Sequence, residues 1–293
     1  MNHNPPGLTA EAPQQRQRRI VSRDQLVLVA DDLGPLDAPA VILLHGGGQT
    51  RHSWAGAARA LAQRGYRVIN FDARGHGESD WSAAGAYSLD DRVADLEAIV
   101  TQLDQPFALV GASLGGATAI HAVAHAMQPA AVVLVDIVPH PELEGISRIV
   151  NFMRAHPDGF ATLDDAVDAV AAYNPERPRP RDPNGLMRNL RQREDGRLYW
   201  HWDPRIVAAR PQDHHDVVRR SAATLSQTGL PVLLVRGLKS DVVSDAGVAA
   251  FRAILPELEV ADVGGAGHMV AGDRNDAFNG AVIAFLERHI PVE

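Results

Sequence analysis

Two apolar rhythms divide this chain. Short unbroken runs, such as Val41-Ile42-Leu43-Leu44 and Val132-Val133-Leu134-Val135, have the composition of strands buried on both faces. Longer stretches between them carry apolar residues at helical spacing. Read in order, the pattern predicts strand Ala40–His45, helix Ser53–Arg64, strand Arg67–Asp72, helix Leu89–Leu103, strand Phe107–Gly111, helix Leu114–Met127 and strand Ala131–Ile137. After a long interruption come strand Pro231–Gly237, helix Ser244–Leu255, strand Leu258–Val263 and helix Asn275–His289. Ile20 to Asp32 has the look of one or two antiparallel edge strands. Strands alternating with helices predict an α/β domain, a mostly parallel sheet covered by helices on both faces. Right-handed crossovers then bring the loops after the strands to one rim. His45, Asp72, Ser113, Asp136, Asp241 and His268 all fall just after predicted strands.

The interruption, 139–228, breaks the alternation. Asn174 to Pro183 carries four prolines and suits neither helix nor strand. Amphipathic segments flank it at Leu163–Tyr173 and Asp213–Leu225. This predicts a mainly helical cap inserted into a core of 20–138 and 229–293, preceded by a disordered arm over 1–19 that is rich in Pro, Gln and Arg. The Pro/Arg run reads as a stiff connector. Tyr199-Trp200-His201-Trp202 is a cluster in a chain with only 5% aromatics. Trp200 and Trp202 either anchor the cap or line an apolar acyl or ring pocket.

Chemistry concentrates at Gly111-Ala112-Ser113-Leu114-Gly115. A G-x-S-x-G pattern between an apolar run and a small-residue helix forces the serine into a sharp turn with its hydroxyl exposed at a helix N-terminus. Upstream, His45-Gly46-Gly47-Gly48 follows a strand. Its unobstructed backbone amides can serve a developing oxyanion, Gly47 together with Leu114. It is a poor phosphate loop, because Gly48-Gln49-Thr50 lacks the lysine. Downstream, Gly264-Gly265-Ala266-Gly267-His268 puts a histidine between a strand and the last helix. A Ser…Asp…His order then needs a carboxylate after an intervening strand. Asp241, following Pro231–Gly237, is the favoured one; Asp136, ending Ala131–Ile137, is its rival. Asp245 reads instead as the first turn of a helix. A histidine side chain can take and return the serine proton near neutral pH.

These motifs, with Asp72-Ala73-Arg74-Gly75-His76-Gly77-Glu78-Ser79 between them, resemble the α/β-hydrolase superfamily over nearly the whole chain from about Ile20. Within it, the chain is similar to the branch of cofactor-free esterases and haloperoxidase-like perhydrolases. The resemblance implies an acyl-enzyme on Ser113, with Asp241 and His268 completing the triad, and no cofactor or metal. It makes Asp72–Ser79 a structural turn in which Asp72 and Arg74 pair, with His76 as a weak alternative base. Ser113 argues against epoxide hydrolases and haloalkane dehalogenases, which carry Asp at that position. The function implied is hydrolysis of small to medium carboxylic esters with an apolar acyl or aryl part. Perhydrolase, lactonase and C–C bond hydrolase chemistries share the triad, and a slow-turnover ligand receptor shares the fold.

Composition narrows the remainder. A chain of 293 residues with 45% hydrophobic content can bury a large core. A net charge of −8 disfavours nucleic acid. The absence of cysteine removes disulfides and thiolate metal sites and fits a cytoplasmic protein. No apolar run approaches the roughly 18 residues of a membrane span. The N-terminus lacks the apolar stretch of about 7–15 residues that a secretory signal needs. His214-His215 is no metal motif, since neighbours on a helix face different ways. The expected partner is a small-molecule substrate.

Overall fold

The computed structural model describes residues 14–292, apart from 176–178, 180–181, 209–210 and 271–274. Among the described residues ten strands form: β1 Gln15–Val21, β2 Val27–Leu33, β3 Ala40–Leu44, β4 Arg67–Phe71, β5 Phe107–Ala112, β6 Ala131–Val135, β7 Leu190–Gln192, β8 Leu198–Trp200, β9 Val232–Gly237 and β10 Glu259–Val263. The helices are α1 Ala55–Gln63, α2 Leu89–Val100, α3 Leu114–Ala124, α4 Leu143–Arg154, α5 Leu163–Tyr173, α6 Pro211–Leu225, α7 Asp245–Ile254 and α8 Asn275–His289.

Eight strands make one sheet in the order β1-β2-β4-β3-β5-β6-β9-β10. β1 and β2 are antiparallel; from β4 to β10 every pairing is parallel. The chain thus forms the α/β sheet its apolar rhythm predicts. Successive residues of each central strand enter opposite layers. Ile42, Leu44, Val132, Leu134 and Leu234 pack with α2, α3 and α7, whereas Val41, Leu43, Val133, Val135 and Leu233 pack with α1 and α8. Burial on both faces is why these strands read as unbroken apolar runs. α2 starts where Ser88 and Asp91 form a reciprocal capping box.

Two expectations change. Residues 15–19, assigned to a disordered arm, belong to β1, where Gln15 to Arg19 pair with Leu33 to Val29; 1–13 lie outside the described residues. The segment 139–228 also divides. α4, α5 and the β7–β8 hairpin gather around their own cluster of Met153, Phe160, Leu190, Trp200 and Trp202. α6 instead buries Val218, Ala222 and Leu225 in the layer that holds α3. It is a core helix in all but sequence position. Part of the Pro/Arg connector falls outside the described residues. Among the described residues no helix is long and apolar enough to cross a membrane.

Candidate active site

The site lies where β3, β5 and β6 end. Ser113 follows β5 directly, with φ 46° and ψ −113°, a conformation disfavoured for any residue with a side chain. Neighbouring contacts over-determine it. The Ser113 N–H donates to the Val135 carbonyl at 3.0 Å. A Cβ on Gly111 would stand 2.5 Å from the Gly115 backbone, and one on Gly115 would stand 2.2 Å from the Leu44 oxygen. The two glycines of G-x-S-x-G are therefore fixed by close approach of β5, α3 and β3, and the turn between them presents the hydroxyl.

A cavity of about 410 Å³ opens over this turn, lined by Ser113, Leu114, Gly47, Asp136 and His268. Asp136 follows β6, and its N–H donates to the Val235 carbonyl at 2.8 Å. Its side chain is fully buried and meets the His268 Nδ1 at 2.7 Å through Oδ2. Oδ1 accepts from the Gly237 N–H at 3.1 Å, and the Ser240 hydroxyl donates to Oδ2. A donor at Nδ1 leaves Nε2 as the basic nitrogen of the ring. The glycine loop before His268 lies against the end of β9: a Cβ on Gly237 would stand 2.4 Å from the carbonyl oxygens of Ala266 and Gly267. This contact carries the imidazole back across β9 towards β6.

Asp241, the expected partner of His268, is elsewhere. Its carboxylate pairs with Arg148 of α4 at 2.8 Å and is partly exposed. The correction has a local cause. In the turn after β9 it is Ser240, one residue earlier, that points inward, and it serves the Asp136 carboxylate while also accepting from the Val242 and Val243 amides.

The glycine loop after β3 is committed amide by amide. Gly46 N–H donates to Gln49 Oε1 at 2.9 Å and Gly48 N–H to His76 Nε2 at 3.2 Å. Gly47 N–H, between them, and Leu114 N–H, at the first turn of α3, have no such partner among the described residues. The two residues adjoin, since a Cβ on Gly47 would lie 3.7 Å from Leu114 Cδ2.

Three buried histidines hold this loop from behind. His45 Nδ1 faces the Gly46 carbonyl while its Nε2 accepts from Ala73 N–H. His76 accepts from Gly48, with Nδ1 facing the Arg74 carbonyl. His201, from the end of the β7–β8 hairpin, accepts from Gly77 N–H and faces the Gly48 carbonyl with Nε2. Each ring therefore uses one nitrogen as acceptor and one as donor, which only the neutral form can do. Burial accordingly lowers all three pKa values, His76 well below the usual range and His201 to about 3. His76 is thus a structural acceptor and no base.

The Asp72–Ser79 turn is structural, but not through an Asp72–Arg74 pair. Asp72 accepts from the Arg51 amide at 2.7 Å and pairs with its guanidinium, whereas Arg74 is gripped by Asp95 and Asp24. The remaining cavity wall is mostly apolar. Trp200 and Trp202 stack at 4.9 Å and both line it, so they anchor the cap and form the pocket at once. His214 and His215 line it as well. Asp90, His121 and His125 stand close enough to share a metal ion, with Asp90 Oδ1 2.7 Å from His121 Nε2, but they lie outside this cavity.

The family model described as the alpha/beta hydrolase fold matches residues 39–274. The chain belongs to the α/β-hydrolase family. It is 33% identical to Esterase Rv0045c of Mycobacterium tuberculosis over 223 residues, covering 72% of this chain and 70% of that one. The crystal structure of that esterase superposes with a TM-score of 0.75 at 27% identity, covering 96% of this chain and 93% of the other. Protein phosphatase methylesterase 1 of Mus musculus is 32% identical over 139 residues, 45% of this chain. That match spans only 36% of the methylesterase's own length. A non-heme chloroperoxidase of Burkholderia pyrrocinia is 27% identical over 284 residues, 92% of this chain and 99% of that one.

Proposed function

We propose that this hydrolase cleaves small to medium carboxylic esters with a largely apolar acyl or aryl part, through an acyl-enzyme on Ser113. The reading is carried by the 2.7 Å bond between Asp136 and His268 in the cavity that Ser113 lines. His268 Nε2 takes the Ser113 proton as Oγ attacks the ester carbonyl, and returns it to the departing alkoxide. Asp136 holds the imidazole tautomer and balances the imidazolium. The Gly47 and Leu114 amides receive the oxyanion; one such donor is worth about 3 kcal/mol in the transition state. Water, activated by the same imidazole, releases the acid. None of these steps draws on a metal or organic cofactor.

Labelling by a fluorophosphonate tests the nucleophile. It should be lost in Ser113→Ala, and labelling that persists would dismiss the assignment. For the acid, the decisive pair is Asp136→Asn against Asp241→Asn, with only the first abolishing aryl-ester turnover.

The near full-length similarity to a chloroperoxidase favours one second reading. Hydrogen peroxide would attack the acyl-enzyme in place of water, releasing a peracid and regenerating Ser113. Acetate with peroxide, followed by monitoring of an oxidisable halide, separates the two: peracid formation outpacing aryl-ester hydrolysis would select perhydrolysis.

A further inference from the structure

One charged group faces the active-site cavity without a carboxylate of its own. Arg92, on α2, lines the cavity beside Ser113, Leu114 and Ala117 and is only 4% exposed. Its Nε and Nη1 have no hydrogen-bond partner among the described residues. Buried guanidinium nitrogens are ordinarily paired, because an unpaired buried charge loses its hydration with nothing in return. The neighbouring Arg74 shows how this fold satisfies such a group. It takes both oxygens of Asp95 at 2.6 Å, both oxygens of Asp24 and the Ala86 carbonyl.

The acids around Arg92 are already engaged. Asp95 is held by Arg74, and Asp91 is taken up by the Ser88 capping box and by Arg74. The nearby rings of His45 and His76 are neutral and have both nitrogens in use. Burial, with Arg74 adding to it against the field of Asp95, lowers the Arg92 pKa to about 10, so the side chain remains a cation at neutral pH. The wall opposite is apolar, formed by Ile146, Ile149, Phe152, Trp200 and Trp202. An apolar chamber with one desolvated fork-shaped cation matches a ligand with a hydrocarbon body and one carboxylate.

We propose that Arg92 is a carboxylate-binding residue of the active site, and that the preferred substrates are esters bearing a free carboxylate, such as half-esters of dicarboxylic acids. The proposal rests on the ester-hydrolase reading above. Arg92 sets selectivity; the chemistry stays with Ser113, His268 and Asp136.

The test compares kcat/KM for monomethyl glutarate, monomethyl adipate and 4-acetoxybutanoate with that for methyl hexanoate. The acetoxy acid places the carboxylate on the alcohol side of the ester. In the native enzyme at least one carboxylate ester should exceed methyl hexanoate. In Arg92→Met the preference ratio should fall roughly 30-fold, mainly through KM, as expected for a lost hydrogen-bonded charge pair. Arg92→Lys, which keeps the charge but not the fork, should recover part of the ratio. Arg92→Gln runs alongside, so that a folding defect in one variant does not decide the result. A ratio that stays within about threefold of native in folded Met and Gln variants would overturn the proposal, as would a native preference for methyl hexanoate over all three acids.

Calorimetric binding of monomethyl adipate to Ser113→Ala, and its loss in Ser113→Ala/Arg92→Met, reads the subsite without turnover. Persistent hydrolysis by Ser113→Ala would refute the catalytic reading while leaving that binding result to judge Arg92.

Discussion

The rim of the sheet and the roof above it follow different building rules. On the rim, Ser113 and Asp136 sit at the ends of strands and are positioned by main chain: Ser113 N–H on the Val135 carbonyl, Asp136 N–H on the Val235 carbonyl. Neither can shift without disturbing a parallel ladder. In the roof, position comes from side chains resting on one another. Trp200 stacks on Trp202, and Phe152 lies against Tyr173 at 4.3 Å. Such contacts tolerate exchange for groups of similar bulk. On the function proposed above, reaction type would be a property of the rim, and choice of substrate a property of the roof and of the helices beneath it.

The sharpest way to break this division is at the nucleophile. Ser113→Ala should lower kcat/KM for every ester by about 10⁴-fold or more while the protein stays folded. If some esters were spared, the chemistry would not reside on the rim. Next comes Asp136→Asn, expected to cost about 10³- to 10⁴-fold in kcat, with Asp241→Asn staying within about threefold in the same assay. The reverse outcome would return the role to the turn after β9.

That pair also marks where the sequence was legible. Apolar runs located β3, β5 and β6, and the glycine spacing located Ser113, because backbone crowding at Leu44 leaves no alternative to glycine at position 115. Asp136 and Asp241 both follow apolar strands, and chain order alone does not separate them. The choice depends on a one-residue question in the turn after β9, namely whether Ser240 or Asp241 points inward, and on how far the His268 loop reaches across β9. Neither is written in local pattern. The cap was legible as an interruption, but α6 belongs to the core layer because its apolar face finds α3, a tertiary preference that helical periodicity alone does not reveal. Arg92 escaped notice because a lone arginine on an amphipathic helix reads as a solvated surface residue.

In the roof, Trp202→Ala should lower stability by roughly 3–5 kcal/mol, seen as a reduced urea midpoint, since a 3% exposed ring leaves a cavity. The variant should also change relative rates among acyl chains while retaining fluorophosphonate labelling. Equal loss for all chains would blur the rim–roof distinction.

The joint between the two regions gives an effect that is small per pH unit and definite in sign. His45, His76 and His201 are held neutral by burial, below their ordinary value of 6.5. Below that pH the unfolded chain binds protons that the folded protein refuses. Stability should therefore fall as pH drops from about 6.5 towards 3, by up to about 1.4 kcal/mol per pH unit for each histidine. His201→Asn should flatten this acid slope in urea titrations at stepped pH; an unchanged slope would detach His201 from the effect.

His201 has a mechanical meaning beyond its charge. It ends the β7–β8 hairpin, yet it grips both the Gly48 carbonyl and the Gly77 amide. Any excursion that lifts the hairpin must first unbuckle the strap that keeps the neighbouring Gly47 amide aimed. On the mechanism proposed above, breaking those two contacts would loosen the loop that carries the oxyanion donor, so a chamber opened at the hairpin would also be a disarmed one.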